Sequence, residues 1–272
     1  MRKDESIFKG IKQTNLVIDG HTCTLPLFYT AGTATIGMFP AKLSKLRDKA
    51  PDSRIEPASV FPGIGIVTVI AFEFETTIGA VNELCIAVPL CNGSLPFGLS
   101  MLKGILRGYM PTWVWHLPVS TEIANVFGRF TWGFPKIFAD IPIAQDSSGN
   151  RKCVLSEEGK PILVLHGKAI AGNMSLRVTL KNHLWQDGCI QTADHVFDLR
   201  NVGMSLIPGT TRLELLSDHP IARDLDDVLL TKNSVSSVYA ASLQALLHEP
   251  DRMSLTLSKR LLEAARIAES SC

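Results

Sequence analysis

The sequence predicts a strand-dominated α+β chain, and three observations predict it. Short β-branched or aromatic stretches recur between Gly, Pro, Asn and Asp punctuation, the usual pattern of strands and turns. Helical periodicity is confined to four places. No repeat of about 20 to 50 residues, low-complexity tract or Pro/Ser linker divides the 272 residues, so residues 1–272 read as a single domain.

The elements follow in chain order. "PAKLSKLRDKA" (40–50) has helical spacing, and "GIVTVIAFEFETT" (65–77) and "LCIAVPL" (84–90) read as strands. "LSMLKGILRGY" (99–109) is a second helix and "TWVWHLPV" (112–119) a third strand. In "VSTEIANVFGR" (119–129), Ser120 or Thr121 can cap a helix and Gly128 can end it. Three more strands are expected in "PILVLHGKAI" (161–170), "MSLRVTLKN" (174–182) and "TTRLELLS" (210–217). A last helix is expected over 252–270, with Leu257, Leu261, Leu262 and Ala265 opposite Lys259, Arg260 and Glu263.

Composition removes several function classes. With 46% apolar and 19% charged residues the chain can bury a sizeable core. A net charge of +1 and no basic run argue against nucleic acid as a partner. The start, "MRKDESIFKG", lacks the apolar stretch of a secretory signal, and the greasiest segment, 63–72, is too short for a membrane helix. A cytoplasmic protein without a membrane partner is therefore expected. The six cysteines form no CxxC pair and read as structural thiols. None of the seven histidines is paired as HxxxH or HExxH, so no metal site is expected. GxSxG, GxGxxG and the P-loop are absent from the sequence.

"WGFPKIF" (132–138) is the segment that invites chemistry, because one lysine stands among aromatic, otherwise uncharged neighbours. Pro135 fixes its own φ and biases Phe134 towards extended backbone, so the chain around Lys136 is stiff. An ordinary lysine, with pKa about 10.4, is free amine in roughly one molecule in a few thousand at pH 7. Apolar walls from Trp132, Phe134, Ile137 and Phe138 would lower that value by desolvation. Composition alone equally suits a lysine whose stem lies on apolar surface and whose ammonium reaches water.

"GRFTWGFPK" (128–136) resembles the signature of the acetoacetate decarboxylase superfamily, in which a Gly-Arg segment leads to an aromatic-Pro-Lys. "KLRDKAPDSRIEP" (45–57), "GAVNELCIAVPL" (79–90) and "GTTRLELLSDHPIARDL" (209–225) resemble its other conserved segments, in the same order. The resemblance implies a mainly β, barrel-containing α+β fold with helices outside, and a symmetric homo-oligomer. It makes Lys136 the Schiff-base lysine, Glu83 a pocket glutamate, and Arg129 and Phe134 the signature's substrate-side residues. His116 in "VWHLP" is a further pocket candidate, whereas Asp218 and His219 read as structural.

Two places depart from the family pattern. Ile137 stands where family decarboxylases carry a second lysine, which leaves desolvation to activate the amine. An N-terminal arginine that helps with the substrate carboxylate is replaced, in ungapped register, by Thr22. The implied activity is a Schiff-base lyase acting on a β-keto acid or related carbonyl compound, with decarboxylation first and no added cofactor. The same imine also serves aldol or dehydration chemistry, and a pocket without catalysis would make a small-molecule binder.

Overall fold

In the computed structural model, which describes residues 6–91, 104 and 107–250, seven strands close into a barrel. Its strands are β3 (Leu27–Lys42), β5 (Ile64–Thr76), β6 (Gly79–Pro89), β7 (Tyr109–His116), β11 (Met174–Gln186), β12 (Cys189–Ser205) and β14 (Ser236–Leu247). They follow the order β3-β14-β12-β11-β7-β6-β5, and β5 pairs back onto β3 from Ile64↔Lys42 to Thr76↔Tyr29. Of these pairs only β7 with β11 is parallel. The short β4 (Ser59–Phe61) joins the start of β5, and β1 (Thr14–Ile18) pairs with β2 (His21–Leu25) as a separate ribbon.

A second sheet, in the order β13-β10-β9-β8, covers one side of the barrel. It is built from β8 (Ile143–Gln145), β9 (Asn150–Glu157), β10 (Lys160–Lys168) and β13 (Arg212–Leu215). This layering explains the long apolar run of β5. Strand side chains alternate between faces, so Ile70, Phe72 and Phe74 fill the barrel while Val67, Val69 and Ala71 face the second sheet. Both faces are buried, and alternation disappears from the sequence. Leu155, Leu163 and Leu165 meet that outer face, together with Leu46 of α1 (Leu43–Lys49) and Ile221 and Leu225 of α3 (Pro220–Val228). Arg151 ties the layers across the same side, donating from Nε to Thr35 at 2.9 Å and from Nη1 to Gln145 at 2.9 Å and pairing with Glu73.

The expected mainly β barrel with outer helices is what the chain forms. Several boundaries differ from expectation. The helix expected at 40–50 spans Leu43–Lys49, because Pro40–Lys42 still belong to β3. Gly128 does not end the third helix. The α-helical part, α2 (Glu122–Phe127), passes into a π-helical turn over Gly128–Trp132, and Gly133, at φ 76°, makes the stop. The cap is Thr121, whose Oγ1 accepts from Ala124 N at 3.4 Å. The helix expected over 252–270 and most of that at 99–109 lie outside the described residues, although Gly104 and Arg107 are helical. Among the described residues the five cysteines are free thiols, and no helix is long and apolar enough to cross a membrane.

Leu84, 0% exposed, points away from the barrel lumen into the core beneath the second sheet. Leu84→Ala is expected to lower stability by about 2–5 kcal/mol in a denaturant titration, since that core cannot collapse between two sheets.

Candidate active site

Strand parity brings Glu83 indoors. Along β6, Leu84, Ile86 and Val88 face the second sheet, so Val81, Glu83 and Cys85 face the lumen, with Phe72 of β5 directly across from Glu83. Glu83 is 4% exposed. Its backbone neighbour on the other side is Val119, just before α2.

Lys136 is delivered by the turn that follows α2. The segment 135–139 runs extended beside 117–119, with Leu117 N donating to Pro135 O at 3.2 Å and Val119 N to Ile137 O at 2.9 Å. Ala139 N returns a bond to Val119 O at 2.9 Å. A chain that already touches Glu83 therefore positions the lysine. Lys136 turns into the lumen, whereas Ile137 packs against the second core. The position after Lys136 thus lies outside the cavity, and an apolar residue suits it.

Lys136 Nζ donates to Glu83 Oε1 at 2.9 Å, and each side chain of the pair is only 5% exposed. The nitrogen also lies 5.8 Å from the centre of the Phe134 ring. The pair faces a small cavity whose walls include Tyr29, Thr76, Val81, Phe127, Trp132 and Leu247. Trp132 is fixed by donating from Nε1 to His248 O at 2.7 Å. Gly128 belongs to the same wall, and a Cβ there would overlap Cδ and Cε of Lys136. The glycine of "GRFTWGFPK" is thus the space that the lysine stem occupies.

The other ionisable groups nearby stay uncharged. Burial pushes the Cys23 thiol up to about 11 and the Cys85 thiol up to about 12, so neither competes as a nucleophile. His195 projects from β12 into the barrel beside Phe197, and its Nε2 is buried without a hydrogen-bond partner among the described residues. Burial, and then the Lys136 charge, push its imidazole down to about 3.

The structure brings Lys136 and Glu83 together, with the Phe134 ring close by. Arg129 and His116 are elsewhere. Arg129 is exposed on the π-helical turn, where its carbonyl accepts from Gly133 N and Gln186 Nε2. His116 bonds through Nε2 to Asp224 at 3.0 Å, on the side of the barrel where α3 packs. His219 caps α3, accepting from Ile221 N at 3.2 Å, and contacts Glu157, which is a structural role. Thr22 is exposed on β2. Tyr29, which lines the same cavity, carries no sequence signal, because nothing short of the strand register shows which face of β3 looks into the lumen.

The family model described as acetoacetate decarboxylase (ADC) matches residues 20–248. No curated protein sequence matches. Among solved structures, an acetoacetate decarboxylase from Legionella pneumophila is 16% identical with TM-score 0.57, over 83% of this chain and 86% of that one. The enduracididine biosynthesis enzyme MppR complexed with pyruvate is 12% identical with TM-score 0.57, over 84% and 90%. An acetoacetate decarboxylase-like enzyme from Sphingomonas wittichii RW1 is 13% identical with TM-score 0.51, over 84% and 94%. At these identities the likeness is one of fold.

Two outcomes test this geometry. Gly128→Ala should cost about 1–3 kcal/mol of stability, because the lysine stem and the new methyl compete for one space, and reversible unfolding measures it. His195 should contribute to acid unfolding. Its folded-state value, about 3, is below the ordinary value of 6.5, so the unfolded chain takes up this proton first as pH falls. The contribution is fully present above pH 6.5 and is lost between 6.5 and about 3. His195→Asn should therefore flatten the stability profile in that window when compared with the unaltered protein.

Proposed function

The chain belongs to the acetoacetate decarboxylase family, and on that footing we propose that it is a Schiff-base lyase: Lys136 condenses with a small carbonyl compound, and a β-keto acid loses its carboxylate. The observation that carries this reading is the hydrogen bond of 2.9 Å between Lys136 Nζ and Glu83 at the wall of a mostly apolar cavity.

The chemistry follows from that contact. Attack on a carbonyl needs the nitrogen lone pair, so the ammonium must give up a proton, and the Glu83 carboxylate is within direct reach to take it. The amine then adds to the carbonyl carbon, and a proton passes from nitrogen to oxygen to give a carbinolamine. Glu83 returns its proton to the leaving hydroxyl, water departs, and a protonated imine remains. Ammonium, carboxylate and ketone have become iminium, carboxylate and water, so atoms and charge balance. The cationic nitrogen accepts the electron pair of the bond to the carboxylate, carbon dioxide leaves, and an enamine remains. Protonation at carbon and hydrolysis restore the lysine. The same iminium can open an aldol bond, and the adduct mass distinguishes the two.

Incubation with acetoacetate and sodium cyanoborohydride, which reduces iminium ions, should attach a substrate-derived group to the peptide bearing Lys136, with release of carbon dioxide. Lys136→Met should abolish both, and Glu83→Gln should slow adduct formation by about a hundredfold or more. No adduct from a broad panel of keto acids and ketones, with the protein shown to be folded, would contradict the proposal. Adduct without carbon dioxide would move the reaction to aldol or dehydration chemistry. Saturable binding that survives Lys136→Met, without turnover, would make the protein a binder.

A further inference from the structure

We propose that the Tyr29 hydroxyl is the hydrogen-bond donor that receives the carboxylate of a β-keto acid in the Lys136 cavity, a specificity-determining role for a residue of β3. The inference rests on the Schiff-base reading of Lys136 and adds to it the group that recognises the other end of the substrate.

The question arises because the cavity lacks an obvious anion partner. Among the described residues that line the cavity, Lys136 is the one cation, and its nitrogen is consumed by the imine. The carboxylate must be met by something else.

Tyr29 is placed to meet it. It lines the same cavity, is 2% exposed, and its hydroxyl has no hydrogen-bond partner among the described residues. A phenol hydroxyl at a cavity wall, with no protein partner of its own, is free to donate to a ligand there. Its ring is held by packing, edge-on to Phe74 at 4.6 Å and tilted against His195 at 5.1 Å between centres. In the strand register Tyr29 is opposite Thr76, another cavity residue. Burial, and then the charge of Glu83, raise its pKa well above the usual phenol range, so the group keeps its proton and acts as a donor. His195 beside it is neutral and adds no competing charge.

A neutral donor is also a chemically apt partner. One charge-assisted hydrogen bond orients a carboxylate without neutralising it as a guanidinium would. When the carbon–carbon bond breaks, its electron pair flows to the iminium nitrogen and the carboxylate becomes neutral carbon dioxide, so the bond to Tyr29 weakens along the reaction. The contact therefore serves binding more than the chemical step. Its removal should raise KM and leave kcat undiminished.

Tyr29→Phe keeps the ring and removes only the donor. Initial rates of cyanoborohydride trapping at Lys136 would be measured against concentration for acetoacetate and for 4-methyl-2-pentanone, a ketone of similar size with no acceptor at its far end. The half-saturating concentration of acetoacetate should rise about tenfold or more, with the maximal rate and the whole ketone curve held within about twofold. An equal rise for both probes, or a fall in both maximal rates, would assign Tyr29 to the reacting carbonyl or to packing and overturn the inference. No change with acetoacetate would overturn it as well. Failure of the unaltered protein to form either adduct would remove the Schiff base itself, and this subsite with it, an outcome distinct from a Tyr29 variant that still traps ketone normally.

Discussion

A lysine and a glutamate held 2.9 Å apart, each side chain 5% exposed, is the constraint on which the rest of this structure depends. Two isolated charges would be expensive at that depth, and removal of either partner leaves the other uncompensated. Both the ammonium–carboxylate form and the amine–carboxylic acid form satisfy the hydrogen bond. The contact therefore solves a burial problem and, on the Schiff-base reading proposed above, places a proton acceptor on the nitrogen that must lose a proton. The sequence suggests aromatic walls as the main agent of activation. The fold adds a carboxylate in direct contact, and the aromatic residues set the boundary of the chamber.

Much of the architecture can be understood as holding that pair in register. Glu83 comes from the middle of a strand buried on both faces, so its backbone cannot drift without disturbing the lumen and the core beneath the second sheet together. Lys136 comes from an irregular segment, which is the weaker support. That weakness is offset by backbone bonds to 117–119, by the Gly133 stop and by Trp132, anchored to the carbonyl of His248. The π-helical turn between α2 and Gly133 brings Gly128 under the lysine stem. A side chain at 128 would fill the volume that the Lys136 stem occupies.

The legible parts of the sequence are those where local chemistry and tertiary burial agree. β5 shows as an apolar run because both faces are covered, and Lys136 and Glu83 stand out through the order of segments that resemble the family's. β12 gave no clear signal, because its lumen-facing residues run Gln191, Ala193, His195 and Phe197, and two polar side chains break the alternation that identifies a strand. The end of β3 reads as the start of a helix because its last residues share that helix's spacing. Gly128 looked like a helix stop because glycine commonly is one, and its actual reason, the stem of Lys136, is a contact eight residues away that only folding creates. Tyr29 is hidden for a related cause. Its relevance depends on which face of a long strand points inward, and glycines at 32 and 37 blur that pattern.

Exchange of carbonyl oxygen with water tests the central claim most directly, because every cycle of imine formation and hydrolysis replaces that oxygen whatever bond is later broken. Acetone labelled with oxygen-18 would be incubated with the protein and with Lys136→Met, and loss of label followed by mass spectrometry. The account predicts exchange well above the uncatalysed rate for the unaltered protein and the uncatalysed rate for the variant. Equal, uncatalysed loss in both would contradict it.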